Sequence, residues 1–218
     1  MVSVATEQWR VDPAFEKSEL STAELQKLID AKKVDLAEVV QKGLWDGRAH
    51  VRRNSAQTLA LEAKGADVTV ELLPIAAKDG DPIVRQHCMR ALADVKIGCD
   101  ASIPALLRGL SDSVDDVHQA ALASLERLIS TGAPGADKLV VQALADRRPI
   151  VQAEVVELIT RQAKRCTGAL ISALNHYNDV IRDNAVEILT MLGSSAAGPL
   201  ITALKHTESR RAVGNVLA

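Results

Sequence analysis

The sequence predicts an all-α fold: a right-handed α-α superhelix of about six stacked helix pairs. Three observations carry this reading. A short apolar pattern returns five times, at intervals of 33, 33, 34 and 30 residues. Each copy is preceded by a second apolar-periodic stretch that closes seven residues earlier. Hydrophobic residues make up 47% of the 218 residues but aromatics only 2%, so the core must be built from Ala, Leu, Val and Ile. Such residues suit closely packed helices, because Ala lets helix axes approach and has the best helix propensity.

The recurring pattern is a β-branched anchor, a small or apolar residue four positions on and an aliphatic eight on. It reads Val51, Ser55, Leu59; then Val84, Cys88, Leu92; then Val117, Ala121, Leu125; then Val151, Val155, Ile159; and finally Ile181, Ala185, Leu189. This spacing puts the three side chains on one helical face. The preceding helices close at Leu44, Ala77, Leu110, Leu144 and Leu174. Each unit is therefore two antiparallel helices joined by a tight turn, with repeats at about 34–65, 68–98, 101–132, 135–165 and 167–193. A sixth, partial unit covers 196–218, its first helix starting at Pro199, Leu200, Ile201 and Leu204. One more helix over 21–32 opens on Ser21 and Glu24 in a capping-box pattern, and residues 1–20 form an N-terminal arm. Asp81 before Pro82 marks a helix start. Gly65, Gly98, Gly132 and Gly193 follow second helices, where a left-handed residue is wanted. Residues 21–218 are thus expected to form a single solenoid domain, whose terminal units need polar or atypical caps.

An acidic residue stands five positions before four of the anchors and Arg directly after three: Asp46 with Arg52, Asp79 with Arg85, Asp112 with His118, Asp146 with Gln152, and His176 with Arg182. On these residues the chain resembles the HEAT repeat, in particular the short bacterial HEAT-like form related to phycobilin lyase subunits. The resemblance covers roughly residues 34–218. It implies that Asp46, Arg52, Asp79, Arg85, Asp112, Asp146 and Arg182 serve a structural hydrogen-bond ladder between adjacent repeats.

The resemblance also raises specific activities, which the residues answer. HEAT-type deoxyhypusine hydroxylases bind iron through His-Glu dipeptides, but the five histidines here precede Val51, Cys88, Gln119, Tyr177 and Thr207. HEAT-like DNA glycosylases need a basic surface and stacking aromatics, whereas this chain carries a formal net charge of −2 and four aromatics in all. There is no Gly-x-Ser-x-Gly elbow, no phosphate-binding Gly loop and no compact metal-ligand spacing. We therefore expect no enzyme, no catalytic residues, no metal, no cofactor and no nucleic-acid partner. No apolar run approaches a membrane span and no leader pattern opens the chain, so a cytoplasmic location is the default. Cys88, Cys99 and Cys166 read as reduced, packed thiols.

The expected function is a non-catalytic scaffold or adaptor that binds a partner protein or peptide along the concave surface of the second helices. The alternative implied by the resemblance is an enzyme-associated subunit, such as a lyase-type chaperone of a prosthetic group. Solvent-facing positions lie two, three and six after each anchor. They include Arg53, His87 and Arg90 in the first two repeats, then Ala120 and Ala123, then Glu154, Glu157, Asp183 and Glu187. These residues read either as ordinary solvated faces or as a groove graded from basic to acidic, which would orient a ligand of opposite gradient. Trp45 and Tyr177 are candidate exposed aromatic contacts. Trp45 has a competing local role, covered by an arm that carries Trp9, Val11 and Phe15. The partial last repeat leaves an apolar face for self-association or for continuation of the chain.

Overall fold

A computed structural model of the chain describes Lys27 and residues 42–62, 77–94 and 99–203. Every regular element among the described residues is helical. The N-terminal arm, the expected helix over 21–32 (apart from Lys27), Gly65, Gly98 and the segment from Leu204 onward lie outside the described residues. The contacts divide the chain into two compact units, Met1–Ile97 and Gly98–Ala218.

In the N-terminal unit, α1 (Ala49–Glu62) packs on α2 (Pro82–Ala91). In the C-terminal unit the order is α3 (Cys99–Gly109), α4 (Asp115–Ser130) and α5 (Ala136–Gln142), the last continued by a 3-10 turn at Ala143–Ala145. Then come α6 (Pro149–Arg161), α7 (Ala163–Ala173), α8 (Asp179–Leu192) and α9 (Ser194–Ala203). The result is an all-α, HEAT-like solenoid made of antiparallel pairs: α3 with α4, α5 with α6, α7 with α8.

The packing follows the repeat register. Val84, Val117, Val151 and Ile181 are buried, as are the residues four and eight beyond them, from Cys88 and Leu92 to Ala185 and Leu189. Val51 is half-buried while Ser55 and Leu59 are buried. The residues closing the first helices, Leu44, Ala77, Leu110, Leu144 and Leu174, are all buried. Close helix approach is visible at Gly43, where an added Cβ would lie 1.8 Å from Ser55 Oγ. Only a residue without a side chain fits there.

Helix ends follow local chemistry. Asp81 caps α2 by accepting a bond from the Ile83 N–H at 2.9 Å, with Pro82 in the first turn where its missing N–H costs nothing. Gly132 and Gly193 end α4 and α8 at φ 72° and 51°, a region that favours glycine. The sixth unit differs from the sequence expectation: α9 begins at Ser194, so Pro199 sits inside it, as Pro104 sits inside α3. Each proline strips a partner from a carbonyl four residues back, at Ser195 and Asp100. Both of those residues are exposed, so water can satisfy the carbonyl. The thiols of Cys88 and Cys166 are unpaired and buried. Burial pushes them up to about 12 and about 11, which leaves them unreactive near neutral pH.

Candidate functional site: the inter-helix turns and the second-helix faces

The residue five before each anchor builds the turn between the paired helices. Its side chain accepts the backbone N–H two residues on: Asp46 from Arg48 at 2.8 Å, Asp79 from Asp81 at 2.8 Å, Asp112 from Val114 at 3.0 Å and Asp146 from Arg148 at 2.9 Å. In the fifth turn His176 does the same through Nδ1, accepting from Asn178 at 3.1 Å. An unprotonated ring nitrogen thus replaces a carboxylate oxygen in the same Asx-type turn.

The Arg after the anchor clasps the same turn from the other side. Arg52 Nη1 donates to the carbonyls of Asp46 and Gly47 at 2.9 and 3.0 Å. Arg85 donates to those of Asp79 and Gly80, and Arg182 to those of His176 and Tyr177. Arg182 also bonds Asp179 in its own turn. Gln152 is shorter and bonds the Leu144 carbonyl instead, at 2.9 Å. Only a guanidinium has a second edge free for further bonds. In the N-terminal unit Arg52 uses that edge to hold Asp79 of the next repeat at 2.7 and 3.2 Å, with side-chain exposures of 19% and 12%.

The acidic residues find further partners that spacing did not single out. Arg48 grips Asp46 through Nε and Nη2, both at 2.9 Å, and Arg148 grips Asp146 at 2.9 and 2.7 Å. The Arg48 guanidinium and backbone N–H outweigh burial and hold the Asp46 carboxyl down at about 2. Arg148 lowers Asp146 in the same way. A carboxyl depressed in the folded state binds fewer protons than in the unfolded chain. Its stabilising contribution is therefore present above pH 4 and is lost as pH falls toward 2. We expect the urea midpoint to drop across this window, and the Asp46→Asn, Asp146→Asn double variant to flatten that drop. An unchanged slope in the variant would assign the acid sensitivity elsewhere.

On the second-helix faces the candidate residues divide into two groups. Arg53 binds Asp81 of the next turn at 2.6 Å; the guanidinium is half-exposed while the carboxylate is buried. For Asp81, burial raises the carboxyl, yet the Arg53 and Ile83 hydrogen bonds prevail and lower it. Glu154 is half-buried beside His118, its Oε1 3.3 Å from Nε2, with exposures of 24% and 13%. Ala120 is buried. His87 is half-buried, and that burial, followed by the nearby Arg90 charge, lowers its pKa. The other candidates face solvent: Arg90, Ala123, Glu157, Asp183 and Glu187. Glu157 lies 3.9 Å from Arg161, whose Nη1 reaches Glu126 of α4 at 2.8 Å. Among the described residues, neither Asp183 nor Glu187 has an ion-pair partner. The α4–α6 contacts of His118 with Glu154 and of Glu126 with Arg161, and the packing of α6 on α8, make these three helices consecutive neighbours.

Tyr177 is 89% exposed and stacks on His176 at 4.4 Å, while Trp45 is 56% exposed. Ile150 and Val180, each one residue before an anchor, are also exposed. Among the described residues, no group of three or more His, Cys, Asp or Glu side chains could hold a metal ion. No described helix is long and apolar enough to cross a membrane.

Comparison with known proteins agrees with this architecture. The family model for HEAT repeats matches residues 36–126. Among solved structures, the MAST/Orbit N-terminal domain is similar with a TM-score of 0.53 and 15% identity, over 84% of this chain and 98% of that one. A chain from the structural work on microtubule plus-end tracking by XMAP215, CLIP-170 and EB1 also gives a TM-score of 0.53, at 17% identity, over 97% of this chain and 95% of that one. At such identities the likeness is one of fold. No curated protein matches the chain.

Proposed function

The chain is a HEAT-repeat protein, and from that premise we propose that it is a non-catalytic scaffold binding a partner protein or peptide on the exposed face of its second helices. The supporting observation is the row across α4, α6 and α8. It passes from Gln119 and Ala123, through Ala153 and Glu157, to the unpaired Asp183 and Glu187. Small residues at the start of the row leave room for a ligand backbone. Unneutralised carboxylates at its end would attract lysine or arginine side chains. Glu154 belongs to the framework of the row, because its carboxylate faces His118. Tyr177 offers an aromatic contact at the adjoining turn edge.

The test is selection from a randomised peptide library against the full chain, followed by fluorescence anisotropy on the winners. Basic peptides should dominate. The Asp183→Lys, Glu187→Lys variant should bind them about tenfold more weakly at low salt, with the difference shrinking as salt rises. Equal affinity for both proteins would remove the row from the binding surface. Adding a linear tetrapyrrole should leave the visible spectrum of the pigment unchanged. A bilin-adduct spectrum would instead favour the prosthetic-group chaperone.

A further inference from the structure

Within the C-terminal unit, the seam between the third and fourth repeats and the seam between the fourth and fifth are held in different ways. Three polar contacts tie the third repeat to the fourth. Arg148 Nη1 donates to Ser111 Oγ at 2.9 Å, His118 meets Glu154 at 3.3 Å, and Arg161 meets Glu126 at 2.8 Å. They are distributed from the turn edge to the far ends of α4 and α6, so they pin the pair along its length. Between the fourth repeat and the fifth, formed by α7 and α8, no side-chain hydrogen bond or ion pair crosses among the described residues.

The groups placed to bridge that seam all turn back on their own repeats. Gln152 bonds the Leu144 carbonyl, and His176 Nδ1 accepts from Asn178. Here both members of the repeat signature are replaced together. Gln152 stands where the first repeat has Arg52, and His176 stands where the second has Asp79. Those two residues make the bidentate contact in the N-terminal unit. What remains at the seam is apolar packing, of α5 on α7 and of α6 and the 3-10 turn on α8, with Val140, Leu170, Val155, Ile181, Ala185 and Ile188 buried. Apolar contact is non-directional, and packed helices without polar pins can slide by small shear steps.

We propose that the seam between the fourth and fifth repeats is a built-in joint. The fifth repeat shifts and opens there as a body, while the third and fourth move together. If the binding reading above holds, this joint lets Asp183 and Glu187 adjust relative to Glu157 around a ligand. The joint itself does not depend on that reading.

Native-state hydrogen exchange on the full chain tests the proposal directly. Buried amides of α7 and α8 should exchange about tenfold or more faster than those of α4 and α6, through a common opening promoted by low denaturant. Uniform protection from α3 to α8, or a break between the third and fourth repeats, would overturn the joint. A restoration experiment gives independent leverage. Asp at 176 keeps the turn acceptor, and Arg at 152 can clasp its own turn as Arg52 does. Gln152→Arg and His176→Asp together should slow opening of α7 and α8 about tenfold beyond the product of the single effects, as a new bidentate contact requires. Purely multiplicative effects of the two substitutions would contradict the missing contact as the cause.

Discussion

Replacing Leu144 by Ala is expected to lower the unfolding free energy of the C-terminal unit by about 2–5 kcal/mol. Leu144 is fully buried in the 3-10 turn that ends the first helix of the fourth repeat. That turn packs on α5, α6 and α8, so a cavity there touches three elements from two repeats. Collapse around the hole would require those helices to move together, and the Gln152 bond to the Leu144 carbonyl holds the turn in place. The cost should therefore fall in the upper part of the usual range. Urea unfolding followed by circular dichroism measures it, with the exposed Ile201→Ala as a control that should stay within about 0.5 kcal/mol of the parent. A loss below about 1 kcal/mol for Leu144→Ala would mean that the turn is not a shared packing centre.

Arg52→Ala should destabilise the N-terminal unit by about 2–3 kcal/mol, although the side chain contributes little apolar area. Two turn carbonyls lose their donor, and Asp79 loses a bidentate partner while remaining only 12% exposed. The dominant cost is the partly buried carboxylate left behind, not the attraction removed. Arg52→Lys should recover part of the loss, because an ammonium can answer the carboxylate or the carbonyls but lacks the planar fork that serves both. The neighbouring Arg53→Ala provides the contrast: Arg53 is half-exposed and makes one bond to Asp81, a buried carboxylate that keeps the Ile83 N–H, so its loss should be smaller than that of Arg52. Equal losses for Arg52→Ala and Arg53→Ala in chemical denaturation would show that the arginine's own burial and its number of bonds do not separate the two pairs.

Adjacent in sequence and similar in chemistry, Arg52 and Arg53 illustrate where linear reading stops. The anchor register was legible, because helical periodicity assigns each position to a face before any neighbour is known. Position in the register therefore placed Val84, Leu125 or Ile159 inside and Glu157 or Asp183 outside. It assigned Glu154 and Arg53 to a solvent-facing stripe as well. It could not show that His118 reaches Glu154 across a repeat boundary, or that Arg53 reaches Asp81. The local grips of Arg48 on Asp46 and Arg148 on Asp146 had a sequence signal, an Asp followed two residues later by Arg. That spacing becomes a contact only once the turn brings the guanidinium back over the carboxylate.

The sequence by itself determined the register of the helix pairs, since this depends on residue type and on one period along the chain. Only the tertiary structure decided which polar side chains cross between repeats. The same Asp and Arg signature can close its own turn or reach the next one, and the choice depends on side-chain length and on what the neighbour presents. Arg52 does both, Gln152 and His176 do only the first, and His118 selects a glutamate on the following helix. Distances across a seam are set by packing of the apolar faces. A sequence read one repeat at a time does not contain them.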